Sequence, residues 1–178
     1  MSHALQIYAG MRKSIVTSIA ISLFFSCATP RAEAFCFNEA AERYSVAPEL
    51  LMAISAEESG MNENAAPNWN KDGSYDVGIM RINSNWYHWS KTVRDLWPEL
   101  EDPCTNVMVG AWILSKCISK YGYNWKAVGC YHSQTPEKRD NYAKRIAKKV
   151  FALEANPALT RQIAGYGSGG NSNVAAAP

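Results

Sequence analysis

Apolar positions recur at helical spacing along much of the chain, and this pattern predicts a mainly α-helical protein. It is strongest in residues 48–58, where helix formers run without interruption and Leu50, Leu51 and Ile54 fall on one face. The proline at the start of this segment suits the first turn of a helix, and Gly60 is a stop signal. We therefore predict a helix that ends next to Gly60.

Other segments carry the same kind of pattern. In the longest of these segments we expect a helix with an N-terminal cap at Thr105 or Asn106 and an end at Gly122. In the last we expect a cap at Thr135, with Tyr142 in the apolar stripe. The further predicted helices cover residues 38–44, 105–121, 125–131 and 136–153, whereas residues 77–82 are too mixed to assign and residues 85–103 are aromatic and irregular.

The N-terminal segment has the layout of a secretory signal peptide. Arg12 and Lys13 precede an apolar stretch of 11 residues, 15–25, and small residues follow before Phe35. A membrane-spanning helix needs about 20 apolar residues, so we expect cleavage after Ala34 and a periplasmic protein without a stable membrane span. A rival interpretation is a lipoprotein acylated at Cys27, although the residues before it match such a site poorly.

These signals divide the chain into a signal peptide (1–34), one domain (35–154) and a disordered tail rich in Gly, Ser, Asn and Ala (155–178). With 47% apolar and 19% charged residues, the chain is neither a disordered polyelectrolyte nor a polytopic membrane protein. The formal net charge of +2 comes from the predicted signal peptide, so the remainder is neutral. We therefore expect no nucleic-acid partner.

The cysteines number five, and four of them remain after the predicted cleavage: Cys36, Cys104, Cys117 and Cys130. Four cysteines in an exported chain indicate two disulfides, with three possible pairings. We favour Cys36–Cys104 and Cys117–Cys130. The alternative for the second pair is two buried free thiols.

No metal-hydrolase or nucleophile motif is present in the sequence, and we expect neither a metal nor a cofactor. Residues 68–73 resemble the front half of a calcium-binding loop, but Ile79 occupies the position of the bidentate glutamate, so an Asp-Gly turn is the better interpretation. A carboxylate is the remaining catalytic candidate. On the 48–58 helix, Glu58 projects roughly 30° from the centre of the apolar face and Glu57 roughly 70°. We expect Glu58 to point inward, where burial raises the pKa of a carboxyl group and prepares it as a general acid.

Four short motifs follow one another along the chain. They are Glu58-Ser59-Gly60, residues 76–83 (Asp-Val-Gly-Ile-Met-Arg-Ile-Asn), residues 102–106 (Asp-Pro-Cys-Thr-Asn) with Gly110-Ala111-Trp112, and residues 127–133 (Ala-Val-Gly-Cys-Tyr-His-Ser). With these motifs the chain resembles the soluble lytic transglycosylase domain family, in the small exported form that accompanies type III and type IV secretion and conjugation systems.

The resemblance implies a mainly α, goose-lysozyme-like single domain with a cleft that binds peptidoglycan glycan strands. It makes Glu58 the single catalytic acid and base, which would cleave the bond between N-acetylmuramic acid and N-acetylglucosamine without water and leave a 1,6-anhydro ring. No motif for a second catalytic carboxylate is found, and Asp76 is explained by a turn. We expect one or two of the tryptophans at 69, 86, 89 and 97 to stack on sugar.

Further roles are implied by the same resemblance. Ser59 would contact the reacting sugar or orient Glu58, or else cap the helix end. Tyr131 would place its hydroxyl against the Glu58 carboxylate, or else pack in the core. The other implied substrate-binding residues are Gly78 and Met80 on the cleft floor, Arg81 in the cleft and Asn83 in support of the turn.

The chain departs from the family pattern at two positions. Arg81 stands where family members usually have glutamine, and a guanidinium cannot accept a hydrogen bond from a neutral sugar. It would instead reach a lactyl or peptide carboxylate, or pair with Glu58 and lower its pKa. His132 stands where many relatives have asparagine.

Two alternatives to the transglycosylase remain open at this point. One is a muramidase that hydrolyses the same bond. The other is a non-catalytic wall-binding or assembly module. For any of them the expected partners are glycan strands and proteins of a secretion, conjugation or pilus apparatus.

Overall fold

The described part of the chain, residues 36–164 of the computed structural model, is mainly helical, as predicted. Its α-helices are α1 (Phe37–Tyr44), α2 (Pro48–Glu58), α3 (Asn85–Trp89), α4 (Lys91–Leu96), α5 (Pro103–Tyr121), α6 (Trp125–His132), α7 (Pro136–Ala155) and α8 (Pro157–Ala164), with a 3₁₀ helix at Trp97–Glu99. Its strands are β1 (Asn68–Trp69), β2 (Tyr75–Val77) and β3 (Ile82–Asn83).

Turn chemistry sets the helix ends. Pro48 opens α2, and Gly60, with φ of 66°, follows its last turn as expected. The predicted cap of α5 at Thr105 or Asn106 is wrong, because Asp102 precedes the helix and its Oδ2 accepts a hydrogen bond from the Thr105 amide at 2.8 Å. An ionised carboxylate at this position also matches the positive end of the helix dipole.

Helix α5 lies in the middle of the fold. It contacts α1, α2, α6 and β3, while α7 packs against α2 and α6. Both favoured disulfides are confirmed: Cys36–Cys104 ties the chain before α1 to α5, and Cys117–Cys130 ties α5 to α6.

A small antiparallel sheet covers one side of this helical core. Strand β2 is its central strand, with Asp76 opposite Asn68 on one side and opposite Asn83 on the other. The sequence left residues 77–82 unassigned because two- and three-residue strands carry no usable periodicity. The expectation of irregular structure over 85–103 is wrong, since α3, α4 and the 3₁₀ helix occupy that range.

One buried polar side chain joins the sheet to α5. Asn106 is fully buried; it accepts a hydrogen bond from the Met80 amide at 2.7 Å and donates to the carbonyls of Val77 and Leu100 at 3.0 and 2.9 Å. Gly78, with φ of 73°, passes so close that a Cβ there would lie 2.2 Å from Nδ2 of Asn106. This contact places the turn that carries Arg81 against the start of α5.

The C-terminal part of the domain differs from the prediction. The disordered tail assigned to residues 155–178 is wrong for residues 157–164, which form α8. Leu159 and Ile163 pack against the core, and Asn156 accepts a hydrogen bond from the Leu159 amide. The signal-peptide segment and residues 165–178 lie outside the described residues. Between residues 36 and 164, no helix combines the length and apolar character that a membrane crossing requires.

Candidate active site

A cavity of about 930 Å³ opens between the sheet and the helices that carry the family-like motifs. Glu58 at the end of α2 lies in its wall, together with residues from β1–β3, α3 and α6. Its lining residues include Glu58, Asp76, Arg81, Asn83, Trp86, Trp89, Tyr131, His132, Lys71 and Lys138.

Glu58 is the largely buried carboxyl group of this cavity. The hydroxyl of Tyr142, on α7, donates a hydrogen bond to Oε1 of Glu58 at 2.6 Å. Burial raises the pKa of Glu58 from 4.5 to about 7, and the nearby charges of Glu57 and Asp76 act in the same direction. The Tyr142 bond and the charge of Arg145 oppose this rise. The Glu58 carboxyl group is therefore about half protonated near neutral pH.

The neighbouring acid has a different environment. Glu57 forms ion pairs with Arg145 and Lys149 of α7, the second at 3.5 Å, and its side chain is 18% exposed. The expectation that Glu58 rather than Glu57 faces inward is confirmed. Neighbouring residues of α2 thus differ in surroundings: Glu57 pairs with two cations of α7, whereas the Glu58 carboxyl group is largely buried in the wall of the cavity.

The tyrosine next to the Glu58 carboxyl group is not the predicted one. Tyr131 lines the cavity, but its hydroxyl donates to the Met80 carbonyl at 2.8 Å, and Tyr142 makes the contact with Glu58. Burial first, and then the charge of Glu58, raise the pKa of both tyrosines well above 10, so both hydroxyls stay protonated as donors. The sequence analysis placed Tyr142 in an apolar stripe and so missed its contact with Glu58. A buried tyrosine hydroxyl also needs a hydrogen-bond partner, and that was the available signal.

Two predicted cleft-floor residues lie elsewhere. Met80 and Gly78 are buried and are not among the residues that line this cavity, and their predicted contact with sugar stays a prediction. The glycine is required for its close approach to Asn106 instead. Ser59 caps the end of α2, where its hydroxyl donates to the Ser55 carbonyl at 3.3 Å and accepts from the Asn62 amide at 3.2 Å.

Asp76 and Asn83 belong to a polar network across the sheet. Oδ1 of Asp76 accepts from the Asn83 amide group at 2.8 Å, and Oδ2 accepts from that of Asn70 at 3.1 Å. Asp72 accepts hydrogen bonds from both the backbone amide and the hydroxyl of Ser74, which confirms the predicted Asp-Gly turn. The network ties Asn83 to β2, and Asp76 faces the same cavity as Glu58.

Arg81 lines the cavity at the end of the Gly78 turn. Its φ is 51°, its amide donates to the Gly78 carbonyl at 3.1 Å, and its Nη1 donates to the Ala66 carbonyl at 2.6 Å. No ion pair with Glu58 or with another carboxylate of residues 36–164 is formed. The alternative in which Arg81 pairs with Glu58 and lowers its pKa is therefore not what the structure shows.

Aromatic residues line the cavity or pack beside Glu58. The His132 ring stacks on the Tyr142 ring with centroids 4.8 Å apart and an interplanar angle of 2°. Burial first, then the charges of Arg145 and Lys138, lower the pKa of His132 below 6.5, so its ring is neutral near pH 7. Of the four tryptophans considered, Trp86 and Trp89 line the cavity, and Trp89 is 70% exposed.

One group of potential metal ligands occurs among residues 36–164: Cys36, Glu39 and Cys104. The two sulfur atoms of this group are joined in a disulfide, so they offer no thiolate to a metal ion.

Comparison with known proteins gives a family match and several relatives. The model of the transglycosylase SLT domain matches residues 35–152. The chain is 42% identical over 119 residues to the invasion protein IagB of Salmonella typhimurium, covering 65% of this chain and 72% of that protein. It is 37% identical over 120 residues to protein IpgF of Shigella flexneri, covering 65% and 76%. A peptidoglycan-binding-like protein of Escherichia coli O157:H7 is 32% identical over 131 residues, covering 68% and 77%.

Proposed function

We propose that this chain, which belongs to the transglycosylase SLT domain family, is a peptidoglycan lytic transglycosylase with Glu58 as its single catalytic acid and base. The mainly α, lysozyme-like fold class expected from the sequence is confirmed by the architecture and the family match. The observation that carries the proposal is the buried Glu58 carboxyl group, with a pKa of about 7, in the wall of the cavity of about 930 Å³.

The first step uses the protonated form of Glu58. The carboxyl group donates its proton to the glycosidic oxygen between N-acetylmuramic acid and N-acetylglucosamine, and the bond from that oxygen to C1 of the muramic acid breaks. A pKa near the working pH serves this transfer, because the acid is present in its protonated form and still gives up its proton readily.

The second step uses the carboxylate that remains. It accepts the proton of the C6 hydroxyl while O6 bonds to C1, which closes the 1,6-anhydro ring and returns Glu58 to its protonated form. No water is consumed. Tyr142 orients the carboxylate in this step, since a hydrogen bond to the charged form holds it in one position and stabilises it.

The surroundings of Asp76 favour a single catalytic carboxylate. Both of its oxygens accept amide hydrogen bonds, from Asn70 and Asn83, which tie the side chain to the sheet. Its place in the same cavity nevertheless supports a second candidate, a muramidase in which Asp76 is the second carboxylate that glycosidases commonly use.

We further propose that the protein is exported and opens the wall locally for a secretion or conjugation apparatus. The signal-peptide pattern of residues 1–34 supports export. The likeness to an invasion protein of Salmonella typhimurium supports a role at an apparatus that crosses the envelope.

The products of digested sacculi test the catalytic proposal. Purified mature protein should release muropeptides with 1,6-anhydro ends, identified by mass spectrometry, and Glu58→Gln should abolish release while binding to glycan is kept. Glu49→Gln changes the same side chain at the other end of α2, outside the cavity, and should leave the products unchanged.

Two results would contradict the proposal. Reducing ends that carry oxygen from water would identify the muramidase. Equal lysis by wild type and Glu58→Gln would remove Glu58 from the chemistry and favour the non-catalytic wall-binding module.

A further inference from the structure

Arg81 is a cation in the cavity that the proposed chemistry does not use. Its bond to the Ala66 carbonyl holds the guanidinium beside the cavity and engages one of the two terminal nitrogens. A guanidinium has five N–H donors in a planar fork that matches a carboxylate, so donors remain for a second partner.

The carboxylates that share the cavity are already engaged. Glu58 accepts from Tyr142, Asp76 accepts from Asn70 and Asn83, and Asp72 accepts from Ser74. Within residues 36–164 none of them forms an ion pair with Arg81. The charge of Arg81 therefore complements an anion that enters the cavity from outside.

The backbone at Arg81 is held in an uncommon conformation. Its φ of 51° lies in the left-handed region, which costs free energy for a residue with a Cβ. Two hydrogen bonds hold the turn in this conformation. The side chain of Asn106 accepts one from the amide of the preceding Met80, and the carbonyl of Gly78 accepts one from the amide of Arg81. The fold thus holds this side chain in place before any ligand arrives.

The proposed substrate carries an anionic group at the right position. Muramic acid differs from glucosamine by a lactyl ether, whose carboxyl group is either free or amide-linked to a stem peptide that has carboxylates of its own. The muramic acid adjoins the bond that Glu58 would cleave, and Arg81 and Glu58 line the same cavity.

We propose that Arg81 is a specificity-determining residue that binds a carboxylate carried by the muramic acid, either of the free lactyl group or of the stem peptide. This inference rests on the proposed function, because it names the substrate feature that the same site selects. It separates substrates that contain muramic acid from neutral chitin-like glycans of the same length.

Binding to catalytically inactive protein tests this without any turnover. Glu58→Gln protein is titrated calorimetrically with four ligands: chitotetraose, the matched muramic-acid tetrasaccharide with free lactyl carboxylates, its lactyl methylamide, and its stem-peptide form. We expect the Kd for carboxylate-bearing ligands to be about tenfold lower than for the methylamide or chitotetraose, with the difference shrinking as salt is added.

Variants then assign the preference to Arg81. Arg81→Gln in the Glu58→Gln protein should remove the tenfold preference and leave chitotetraose binding unchanged, and Arg81→Lys should keep part of it through its charge. Arg94→Gln, an exposed arginine of α4 outside the cavity, is the matched control and should change nothing.

The ligands also distinguish the two sources of the carboxylate. A preference for the free lactyl form over its methylamide identifies the lactyl group, and a preference confined to the peptide form identifies the stem peptide. Equal affinity for all four ligands in the Glu58→Gln protein overturns the inference whatever the Arg81 variants do. An equal loss of affinity for neutral and anionic ligands in Arg81→Gln also overturns the inference. The catalytic proposal is decided separately, by the anhydro products of the wild type.

Discussion

The hydroxyl of Tyr142 donates a hydrogen bond to Oε1 of Glu58 over 2.6 Å, and the two residues lie 84 positions apart in the sequence. The bond joins the end of α2 to α7, next to the ion pairs that Arg145 and Lys149 form with Glu57. Burial and this hydrogen bond act on the pKa of Glu58 in opposite directions, and burial has the larger effect. Of the two groups that oppose the rise of this pKa, Tyr142 and Arg145, Tyr142 has the larger effect.

Tyr142→Phe should move the pH dependence of lysis. Because Glu58 must hold its proton to act as an acid, kcat/KM should fall above about pH 7 in the wild type. Loss of the hydroxyl removes an interaction that lowers the pKa, so this fall should begin at a higher pH. A pH profile on soluble peptidoglycan fragments measures it. Tyr123→Phe also removes a bonded hydroxyl, one that accepts a hydrogen bond from the Ala47 amide outside the cavity, and should leave the profile unchanged. If kcat/KM of Tyr142→Phe falls at the same pH as in the wild type, or at a lower pH, Tyr142 does not lower the pKa of Glu58.

Glu58→Gln should stabilise the protein at neutral and alkaline pH. The pKa of Glu58 is about 7 in the folded protein against 4.5 for a solvated glutamate, so as the pH rises through this window the unfolded state loses its proton first and is favoured. At 1.36 kcal/mol per pH unit the wild type loses roughly 3 kcal/mol of unfolding free energy that the glutamine variant keeps. Urea denaturation at pH 4 and pH 8 measures the effect. A stability difference that is the same at both pH values would show that Glu58 titrates normally.

Asp76→Asn should separate the two catalytic candidates. If Glu58 alone acts as acid and base, the variant should still form anhydro products, with kcat/KM falling at lower pH because Asp76 helps to raise the pKa of Glu58. If Asp76 is the second carboxylate of a muramidase, lysis should be lost. Product analysis by mass spectrometry decides, and a melting curve checks that the sheet survives the loss of one acceptor for Asn70 or Asn83.

Gly78→Ala should destabilise the fold through a steric conflict. A Cβ there would lie 2.2 Å from Nδ2 of Asn106, whose bonds to Met80, Val77 and Leu100 would be broken or displaced. We expect a loss of about 2–4 kcal/mol in unfolding free energy, measured in urea. Gly73→Ala is the matched control. Gly73 also has positive φ, but nothing lies within 4 Å of its added Cβ, so it should lose only about 1 kcal/mol. Equal losses would show that backbone conformation alone requires Gly78.

The sequence predicted the helices best where the signal was local. Continuous helix formers and the flanking Pro48 and Gly60 predicted α2, and angular spacing alone predicted that Glu58 faces inward. The helices within residues 85–103 were not predicted, because helices of five and six residues are too short to show a helical period. The α8 helix was missed because the disordered tail, predicted from the composition of the segment after α8, was taken to begin at residue 155.

The site was predicted in part. Arg81, Asn83 and Tyr131 line the cavity with Glu58 as expected, while Met80 and Gly78 are buried behind it. A short motif names residues that are adjacent in sequence, but successive residues in a tight turn point in different directions. Which of them faces the cavity depends on how the turn packs against Asn106.

By itself, the sequence determined the helical class, the inward face of α2, the number of disulfides and the candidate acid, because periodicity, turn residues and the cysteine count can be read without knowing how distant segments pack. Which cysteines pair became clear only in the structure. Only the tertiary structure decided what surrounds that acid. Tyr142, Asp76 and the His132 ring reach the Glu58 neighbourhood because α7, β2 and α6 pack around the end of α2. The pKa of a carboxyl group depends on burial and on charges within a few ångströms, and those distances are set by packing between segments that are far apart in the chain.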